Sequence, residues 1–326
     1  MKRFNKNSTL KEVYTYPGFE GLENYLGLTP KEVVLKDFPN QTLENFADTP
    51  SHNRNAEDIA AGLNTIAQLV ENQVPVLQKF YTKEEIDKDM TKNEAALFWF
   101  PAKKKGPFAI VCSGGAYLYV ANPSEAFPVA KQLKDLDISV FVLKYRAGME
   151  GAVQKAQEDL HRAIGFIMEN ADKFQVEKKY SAFGFSAGGH LVAELGTDNK
   201  GYKAFGLPKP QMLGLGYPLV AFDGIDKGIN KIMFGEEEKE ELQEEYTPIH
   251  HLSTDYPPTF IWHTVEDATV PFETNGAEIY RRLIDLKIPC TLKRVEHGPH
   301  GLGLGRGSEA EGWLDEAVAF WKEQMY

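Results

Sequence analysis

A serine between two glycines is the first feature of the sequence that could do chemistry. Residues 184–188 read Gly-Phe-Ser-Ala-Gly, directly after the apolar run YSAFGF (180–185) and at the start of the helical run AGGHLVAEL (187–195). In a strand, tight turn and helix of this kind, the side chain of Ser186 projects at the carboxyl end of the strand, and bulkier neighbours would clash. The pattern predicts a nucleophilic serine; an ordinary glycine-rich turn is the alternative.

A serine hydroxyl becomes a good nucleophile only when a base removes its proton and an acid orients that base. Asp267 follows the apolar run TFIWHT, and His300 lies in the glycine-rich segment EHGPHGLGLG after the last apolar run. Both positions are at carboxyl ends of predicted strands, where open α/β sheets place functional groups. We therefore predict a triad of Ser186, Asp267 and His300, with Glu266 as the local alternative for the acid and His297 for the base.

Acyl transfer also needs donors that stabilise an oxyanion, and a glycine-rich segment lies where such donors are expected. The segment CSGGAY (112–117) follows the apolar run FAIVC. Backbone amides at such a turn can point at the oxyanion together with the amide that follows the nucleophile. We predict an oxyanion hole formed by Gly115, Ala116 and Ala187; a plain glycine turn is the alternative.

Short apolar runs alternate with amphipathic stretches from residue 95 onward. This alternation predicts a doubly wound, mostly parallel sheet with helices on both faces. The predicted strands are AALFWF (95–100), FAIVC (108–112), ISVFVLKY (138–145), YSAFGF (180–185), MLGLGYP (212–218), TFIWHT (259–264) and CTLKRVE (290–296).

Two segments depart from this alternation. Residues 1–90 are polar and mixed, with an amphipathic helix predicted over 56–73, and we expect them to form a helical extension or lid on a catalytic domain of residues 91–326. Residues 222–256 are a charged excursion that could be a cap insertion. Its acidic stretch EEEKEELQEE is typical of a solvated helix face rather than a recognition surface.

The composition describes an acidic globular protein. The 326 residues carry a formal net charge of −11, and 42% are hydrophobic, which is enough for a large core. The negative charge is spread along the chain and disfavours nucleic acid and anionic membranes as partners. Because no long apolar segment or signal peptide is visible, we expect a cytoplasmic protein without membrane spans.

Neither the cysteines nor the histidines are spaced like metal ligands. Cys112 and Cys290 each lie in an apolar run, and we expect both to be buried free thiols. His190 follows the serine by one helical turn, so we expect it to support that turn through a buried hydrogen bond. No metal or cofactor is predicted. The other histidines without metal-ligand spacing are His250, His251 and His263.

Taken together, these motifs resemble the esterase and lipase group of the α/β-hydrolases, in particular bacterial acetylesterases and carbohydrate deacetylases. The resemblance covers residues 95–320 and rests on SGGAY, VFVLKYR, GFSAGGHL, YPPTFIWHTVEDATVP and HGPHGLGL. The chain has Ser-Gly-Gly-Ala where many relatives have His-Gly-Gly-Gly or Pro-Gly-Gly-Gly, which weakens assignment to a subfamily. The resemblance implies the α/β-hydrolase fold and a cofactor-independent serine carboxylesterase.

The resemblance also implies a small-molecule ester as substrate, with short acyl groups, acetyl above all, on alcohols such as carbohydrates. Tyr117 and Phe185 flank the predicted donors and nucleophile, and their rings either narrow the acyl site or pack into the core. An amidase, peptidase or aryl-formamidase on the same triad is an alternative, and so is a non-catalytic binding protein that keeps the fold. Homo-oligomerisation is left open.

Overall fold

The structure, a computed structural model, describes residues 3–27, 31–49, 52–222, 227–235 and 239–325. Within these ranges the chain forms one eight-stranded sheet, a two-stranded hairpin and helices that cover the sheet. The candidate site lies at the carboxyl ends of the central strands of the large sheet.

The strands predicted from apolar runs are all present, within a few residues of the predicted bounds. Two short hairpin strands and one edge strand were not predicted, because two residues are too few to show a period. The strands are β1 Asp48–Thr49, β2 His52–Asn53, β3 Leu77–Gln78, β4 Ala96–Phe100, β5 Gly106–Cys112, β6 Ser139–Lys144, β7 Val176–Phe185, β8 Leu213–Gly216, β9 Thr259–Thr264 and β10 Cys290–Val295.

The large sheet has the strand order β3-β4-β6-β5-β7-β8-β9-β10. The pairs from β6 through β5, β7, β8 and β9 to β10 are parallel, whereas β4 runs antiparallel to both β3 and β6. Because β5, β7, β8 and β9 are parallel, the carboxyl ends of β5, β7 and β9 lie at the same end of the sheet, with β8 between β7 and β9. The prediction of a mostly parallel sheet is confirmed, with an antiparallel pair of strands added at one side.

The helices of the described residues include the two that the sequence predicts, over 56–73 and from residue 187. Their bounds are α1 Leu10–Tyr14, α2 Lys31–Asp37, α3 Leu43–Ala47, α4 Ala56–Glu71, α5 Lys83–Lys88, α6 Ala126–Asp135, α7 Ala152–Glu169, α8 Ala171–Phe174, α9 Ala187–Glu194, α10 Lys227–Phe234, α11 Lys239–Glu245, α12 Gly276–Asp285 and α13 Trp313–Glu323.

The buried residues of β5 show how the helices cover both faces of the sheet. Phe108 and Ile110 belong to one hydrophobic cluster, and the intervening Ala109 and Val111 belong to the other. Successive strand residues point to opposite faces, so a strand that is apolar at every position is buried on both sides. Helices α7, α9 and α12 contribute to the first cluster, and α4, α6 and α13 contribute to the second.

The N-terminal region packs on the second face, mainly through α4. The side chain of Asn55 caps this helix by accepting from the amides of Glu57 and Asp58, and the predicted apolar side of the helix is buried. A Cβ on Gly62 would lie 2.8 Å from the Cβ of Phe127, so the glycine allows α4 to approach α6 closely. The described part of residues 1–90 contains five helices and three short strands, and its role as an extension or lid on a separate catalytic domain stays a prediction.

The charged excursion at 222–256 contains α10, α11 and a short 3₁₀ turn at Pro248–His250. Residues 223–226 and 236–238 of this excursion lie outside the described residues. Along α11, Glu240, Glu241 and Glu244 are exposed, in agreement with a solvated face. A role of the excursion as a cap stays a prediction.

Both cysteines are free thiols, as predicted. Cys112 is buried at the end of β5, and burial raises the pKa of its thiol. Cys290 is only half-buried, because β10 is an edge strand of the sheet and is covered less completely than β5. The prediction that Cys290 is buried is therefore corrected.

Candidate active site

Ser186 occupies a strained turn between β7 and α9. Its backbone has φ 53° and ψ −120°, a conformation that a residue with a side chain rarely adopts. A Cβ on Gly184 would overlap the carbonyl of Gly188, and a Cβ on Gly188 would overlap the carbonyl oxygens of Cys112 and Ser113. The two glycines are therefore required because the backbones of β7, β5 and α9 touch at this turn.

Ser186, His300 and Asp267 form one hydrogen-bonded chain. His300 Nε2 lies 2.9 Å from Ser186 Oγ, and His300 Nδ1 lies 2.6 Å from Asp267 Oδ2. Because an ionised carboxylate only accepts hydrogen bonds, Nδ1 carries the proton and Nε2 is left to accept from the serine hydroxyl. The structure thus brings together the three residues of the predicted triad in the geometry of a nucleophile, a base and an acid.

Asp267 is held in its ionised form by its surroundings. Its Oδ1 accepts from the amides of Thr269 and Val270, at 2.9 and 2.8 Å, and its Oδ2 also lies 3.3 Å from Nε2 of His263. Burial by itself would raise the pKa of Asp267, but hydrogen bonds from His263, His300 and Val270 keep that pKa well below its usual range. A carboxylate that stays charged can orient His300 and stabilise it when it is protonated.

Glu266 and His297, the local alternatives for the acid and the base, are not part of the hydrogen bonds that join Ser186, His300 and Asp267. Glu266 and His297 pair with each other at 3.1 Å, and both side chains are more than half exposed. As expected of an ion pair, Glu266 raises the pKa of His297, and His297 lowers the pKa of Glu266. Because neither contacts Ser186, the geometry favours Asp267 and His300 over them.

The segment after β5 lies against the serine with unused backbone donors. Within the described part of the chain, the amides of Gly115, Ala116 and Ala187 have no hydrogen-bond acceptor. A Cβ on Gly114 would lie 2.8 Å from the Cβ of Ser186, which shows how closely this segment approaches the nucleophile. The amides of all three predicted oxyanion donors are thus unused in the structure, and their role stays a prediction. Ala116 has φ 52°, so this donor position is held in a strained turn.

A buried glutamate that was not predicted holds this segment in place. Glu125 Oε2 accepts from the amide of Gly114 at 2.7 Å, and Oε1 accepts from the hydroxyl of Tyr217 at 3.2 Å. Nη2 of Arg54 lies 3.5 Å from the same Oε1. Glu125 is almost fully buried, so these contacts are needed to compensate its lost hydration.

The sequence contains no distinctive pattern that indicates the roles of Glu125 and His263. Glu125 comes directly before α6, where an acidic residue is normally interpreted as a solvated helix start. His263 lies inside β9, four residues before Asp267, and shows neither metal-ligand spacing nor an exposed position. Glu125 acts through partners that are distant in the chain, Arg54 and Tyr217. His263 acts through Asp267, which lies beyond the end of β9.

For Tyr117 and Phe185, the candidate substrate-binding residues, the structure favours the second of the two alternatives, packing into the core, because both side chains are fully buried. The hydroxyl of Tyr117 lies 2.6 Å from Nδ1 of His190, and the ring packs beneath the turn rather than beside the acyl site. The ring of Phe185 packs edge-on against Trp313 in the second hydrophobic cluster. His190 supports the turn through buried hydrogen bonds, as predicted, with its Nε2 2.7 Å from the carbonyl of Tyr246.

The described residues contain no group of three or more His, Cys, Asp or Glu side chains that could hold a metal ion. Among the same residues, no helix combines the length and the apolar character needed to cross a membrane.

Comparisons with known proteins agree with this geometry. The BD-FAE family model matches residues 98–207, which include the segment after β5 and Ser186. A solved structure of an acetyl ester-xyloside bifunctional hydrolase from Caldicellulosiruptor lactoaceticus is similar, with a TM-score of 0.66 and 27% identity over 76% of this chain and 95% of that one. The predicted α/β-hydrolase fold and the resemblance to α/β-hydrolase esterases are confirmed.

Two curated relatives are larger proteins. An endo-1,4-beta-xylanase B of Butyrivibrio fibrisolvens is 28% identical over 215 residues, which are 63% of this chain and 34% of that protein. An acetylxylan esterase of Xylanibacter ruminicola is 25% identical over 236 residues, which are 70% of this chain and 47% of that protein. The matched part thus spans between a third and a half of the length of these relatives.

Proposed function

We propose that this α/β-hydrolase is a serine carboxylesterase that removes short acyl groups, acetyl above all, from esters of carbohydrates. The observation that carries the proposal is the hydrogen-bonded chain from Asp267 through His300 to Ser186, with unused amides beside the serine. The substrate class is supported by the names of two relatives, an acetylxylan esterase and an acetyl ester-xyloside hydrolase.

In the acylation step, Ser186 Oγ attacks the carbonyl carbon of the ester while His300 Nε2 takes the hydroxyl proton. The carbonyl oxygen becomes an oxyanion that accepts from the amides of Gly115, Ala116 and Ala187. In comparable sites, removal of one such donor lowers kcat by about 10²- to 10³-fold. The bond from the carbonyl carbon to the alcohol oxygen then breaks, and His300 returns the proton to the departing sugar hydroxyl.

In the deacylation step, water replaces the alcohol. His300 takes a proton from the water as its oxygen attacks the acyl-enzyme carbonyl, and the same amides stabilise the second oxyanion. The bond between the acyl carbon and Ser186 Oγ then breaks, and His300 returns the proton to Oγ. Acetate is released and the serine hydroxyl is regenerated. Asp267 stays ionised throughout and stabilises the protonated form of His300. The proposed cycle needs no cofactor.

The decisive experiment measures acetate release from acetylated xylan and the hydrolysis of p-nitrophenyl esters from acetate to palmitate. We expect the highest kcat/KM at acyl chains of about two to four carbons, because each methylene improves binding only until the acyl site is full. A steady rise in kcat/KM through about eight carbons would indicate a lipase instead. Faster cleavage of peptide or formamide substrates would indicate an amidase.

A non-catalytic role is tested separately by a fluorophosphonate probe, which reacts with serines that a neighbouring base activates. We expect Ser186 to be labelled, and mass spectrometry of the labelled peptide identifies the residue. Absence of both labelling and ester turnover in folded protein would reject the proposed function.

A further inference from the structure

The N-terminal region encloses an apolar cavity that the proposed reaction does not use. Its volume is about 390 Å³, within the range of ligand pockets in proteins. Side chains from α1, α2, α3 and α4 form most of the wall, and Phe38 at the rim is about half exposed. The apolar wall is formed by Leu10, Val13, Val34, Leu43 and Leu63.

One wall of the cavity is shared with the segment after β5. Tyr119 lines the cavity, and its Cδ2 lies 3.0 Å from the position of a Cβ on Gly115, the predicted oxyanion donor. Pro123 of the same segment also lines the cavity. Ser186, Asp267 and His300 are not among the described lining residues. The cavity therefore adjoins the candidate active site but lies apart from the reacting atoms.

Among the described residues that line the cavity, Arg54 is the charged one. Its side chain is 7% exposed, and its hydrogen bond to Glu125 Oε1 is long, at 3.5 Å. Among the described residues, its Nε has no acceptor. The one described hydrogen bond of this guanidinium, to Glu125, uses Nη2; because a guanidinium has five N–H donors, the Nη groups have donors to spare for a ligand.

The charge of Arg54 is already balanced by Glu125, which is almost fully buried beside it. A carboxylate ligand would meet the repulsion of Glu125 and would lose its hydration in an apolar cavity. A neutral carbonyl oxygen could accept from the spare N–H groups without either penalty. The wall and the guanidinium together select a neutral apolar molecule with a hydrogen-bond acceptor at one end.

We propose that this cavity is an accessory binding site for a neutral apolar carbonyl compound, such as an alkyl or aryl ketone or ester. The apolar body lies against α1, α2, α3 and α4, and the carbonyl oxygen accepts from Arg54. The bound molecule contacts Tyr119 and so reaches the segment that carries Gly115, without contacting Ser186.

The test uses the full chain with Ser186→Ala, so that its outcome does not depend on turnover. The probe is prodan, a neutral naphthyl ketone whose emission shifts to the blue in apolar surroundings. We expect saturable binding with a blue shift, competition by a long-chain methyl ketone, and weak competition by the corresponding carboxylate. No saturable binding, or tighter binding of the carboxylate than of the ketone, would overturn the proposal.

A matched pair of variants locates the site on α2. Val34 is buried in the cavity wall, whereas the adjacent Val33 is exposed and does not line the cavity. We expect Val34→Trp to raise the Kd for prodan by at least about tenfold, since the indole occupies part of the cavity, and Val33→Trp to leave the Kd unchanged. Equal affinities in the two variants would contradict the assignment.

Two further measurements keep the test decisive if Val34→Trp folds poorly. A photoreactive ketone cross-linked to the Ser186→Ala protein is expected to modify peptides that contain Phe38 or Tyr119; modification elsewhere only would overturn the site. Wild-type protein labelled at Ser186 by a small phosphonate is expected to bind prodan normally. Loss of prodan binding on labelling would overturn the proposal, because the cavity would then be part of the active site. Failure of Ser186 to react with the phosphonate would count against the proposed esterase and not against the cavity site.

Discussion

The triad and the oxyanion segment are neighbours that are held in place by different parts of the chain. Ser186 follows β7 directly, Asp267 lies three residues after β9, and His300 lies five residues after β10. The oxyanion segment, residues 113–117 after β5, is held instead by Glu125, which accepts from the amide of Gly114. The partner of Glu125, Arg54, is 71 residues away in the N-terminal region. Strand ends alone place the triad, whereas long-range side-chain contacts place the donors.

This difference predicts that the two groups respond differently to substitution. A change in the triad removes a reacting group and leaves the surrounding backbone intact. A change around Glu125 keeps every proposed reacting group and alters only the position of the amides that we propose as oxyanion donors. The predictions below test that separation, from the largest expected effect to the smallest.

The largest effect is expected from Ser186→Ala. We expect kcat for p-nitrophenyl acetate to fall by about 10⁴-fold or more, because the nucleophile is lost. The far-UV circular dichroism spectrum and Tm should stay close to those of the wild type, since the turn is formed by the backbone. Ester turnover near the wild-type rate would remove Ser186 from the mechanism.

Asp267→Asn tests the acid against its neighbour. We expect kcat to fall by about 10⁴-fold, since an amide can hold His300 in the wrong tautomer and cannot stabilise its protonated form. Glu266→Gln is the matched control, and it should change kcat by less than about twofold because the Glu266 side chain is exposed and paired with His297. A larger loss from Glu266→Gln than from Asp267→Asn would exchange the two assignments.

A smaller effect is expected from Glu125→Gln. If the amide oxygen accepts from Gly114, the amide nitrogen takes the place of Oε1, where it can no longer accept from the Tyr217 hydroxyl and faces the guanidinium of Arg54 without charge compensation. We expect kcat to fall by about 10- to 100-fold with KM little changed, because the donors act mainly in the transition state. Fluorophosphonate labelling of Ser186 should persist at a reduced rate.

The control for Glu125→Gln is Glu23→Gln, which breaks another ion pair of the N-terminal region, between Glu23 and Lys31. It should leave kcat unchanged, since Glu23 does not contact the oxyanion segment. If both variants lowered kcat equally, the effect would belong to the packing of the N-terminal region and not to Glu125.

The smallest expected effect is on stability in acid. Burial lowers the pKa of His161 and of His190 to about 4, from the ordinary value of 6.5. Both are neutral in the folded protein, and the unfolded chain binds their protons first. The free energy of unfolding should therefore fall as the pH is lowered from about 6.5 towards 4.

His161→Phe isolates one part of that acid sensitivity. The phenyl ring can keep the stacking on Phe205, whose ring centroid lies 3.6 Å from that of the imidazole. We expect a smaller loss of Tm between pH 7 and pH 5 than in the wild type, with kcat/KM for p-nitrophenyl acetate unchanged at pH 7. An unchanged dependence of Tm on pH would show that His161 does not contribute to it.

Local patterns in the sequence account for the sheet and the triad. Apolar runs mark β5 through β9 because these strands are largely buried on both faces, and Ser186 and Asp267 follow such runs closely. His300 follows β10, an edge strand that is only partly buried. The turn at Ser186 is also local, since its glycines are required by contacts within a few residues and with the adjacent strand.

The side chains around the turn could not be predicted in the same way. Tyr117 has φ 58°, a left-handed turn conformation that directs the ring beneath Ser186 instead of towards the substrate, and nothing in the spacing of SGGAY indicates that φ. Glu125 and Arg54 form a contact only after α4 has packed on α6. Contacts of this kind depend on the assembled fold, so no periodicity in the sequence reveals them.

The contact of Gly188 with the carbonyls of Cys112 and Ser113 has a consequence for how such an enzyme can diversify. Because backbone touches backbone there, the spacing between the nucleophile turn and the end of β5 does not depend on the size of any side chain. Substitutions in the surrounding pockets can change which alcohol or acyl group is accepted without moving that spacing. Substrate specificity can therefore change through pocket substitutions, whereas Gly188 cannot be replaced, because any Cβ there would overlap the two carbonyl oxygens.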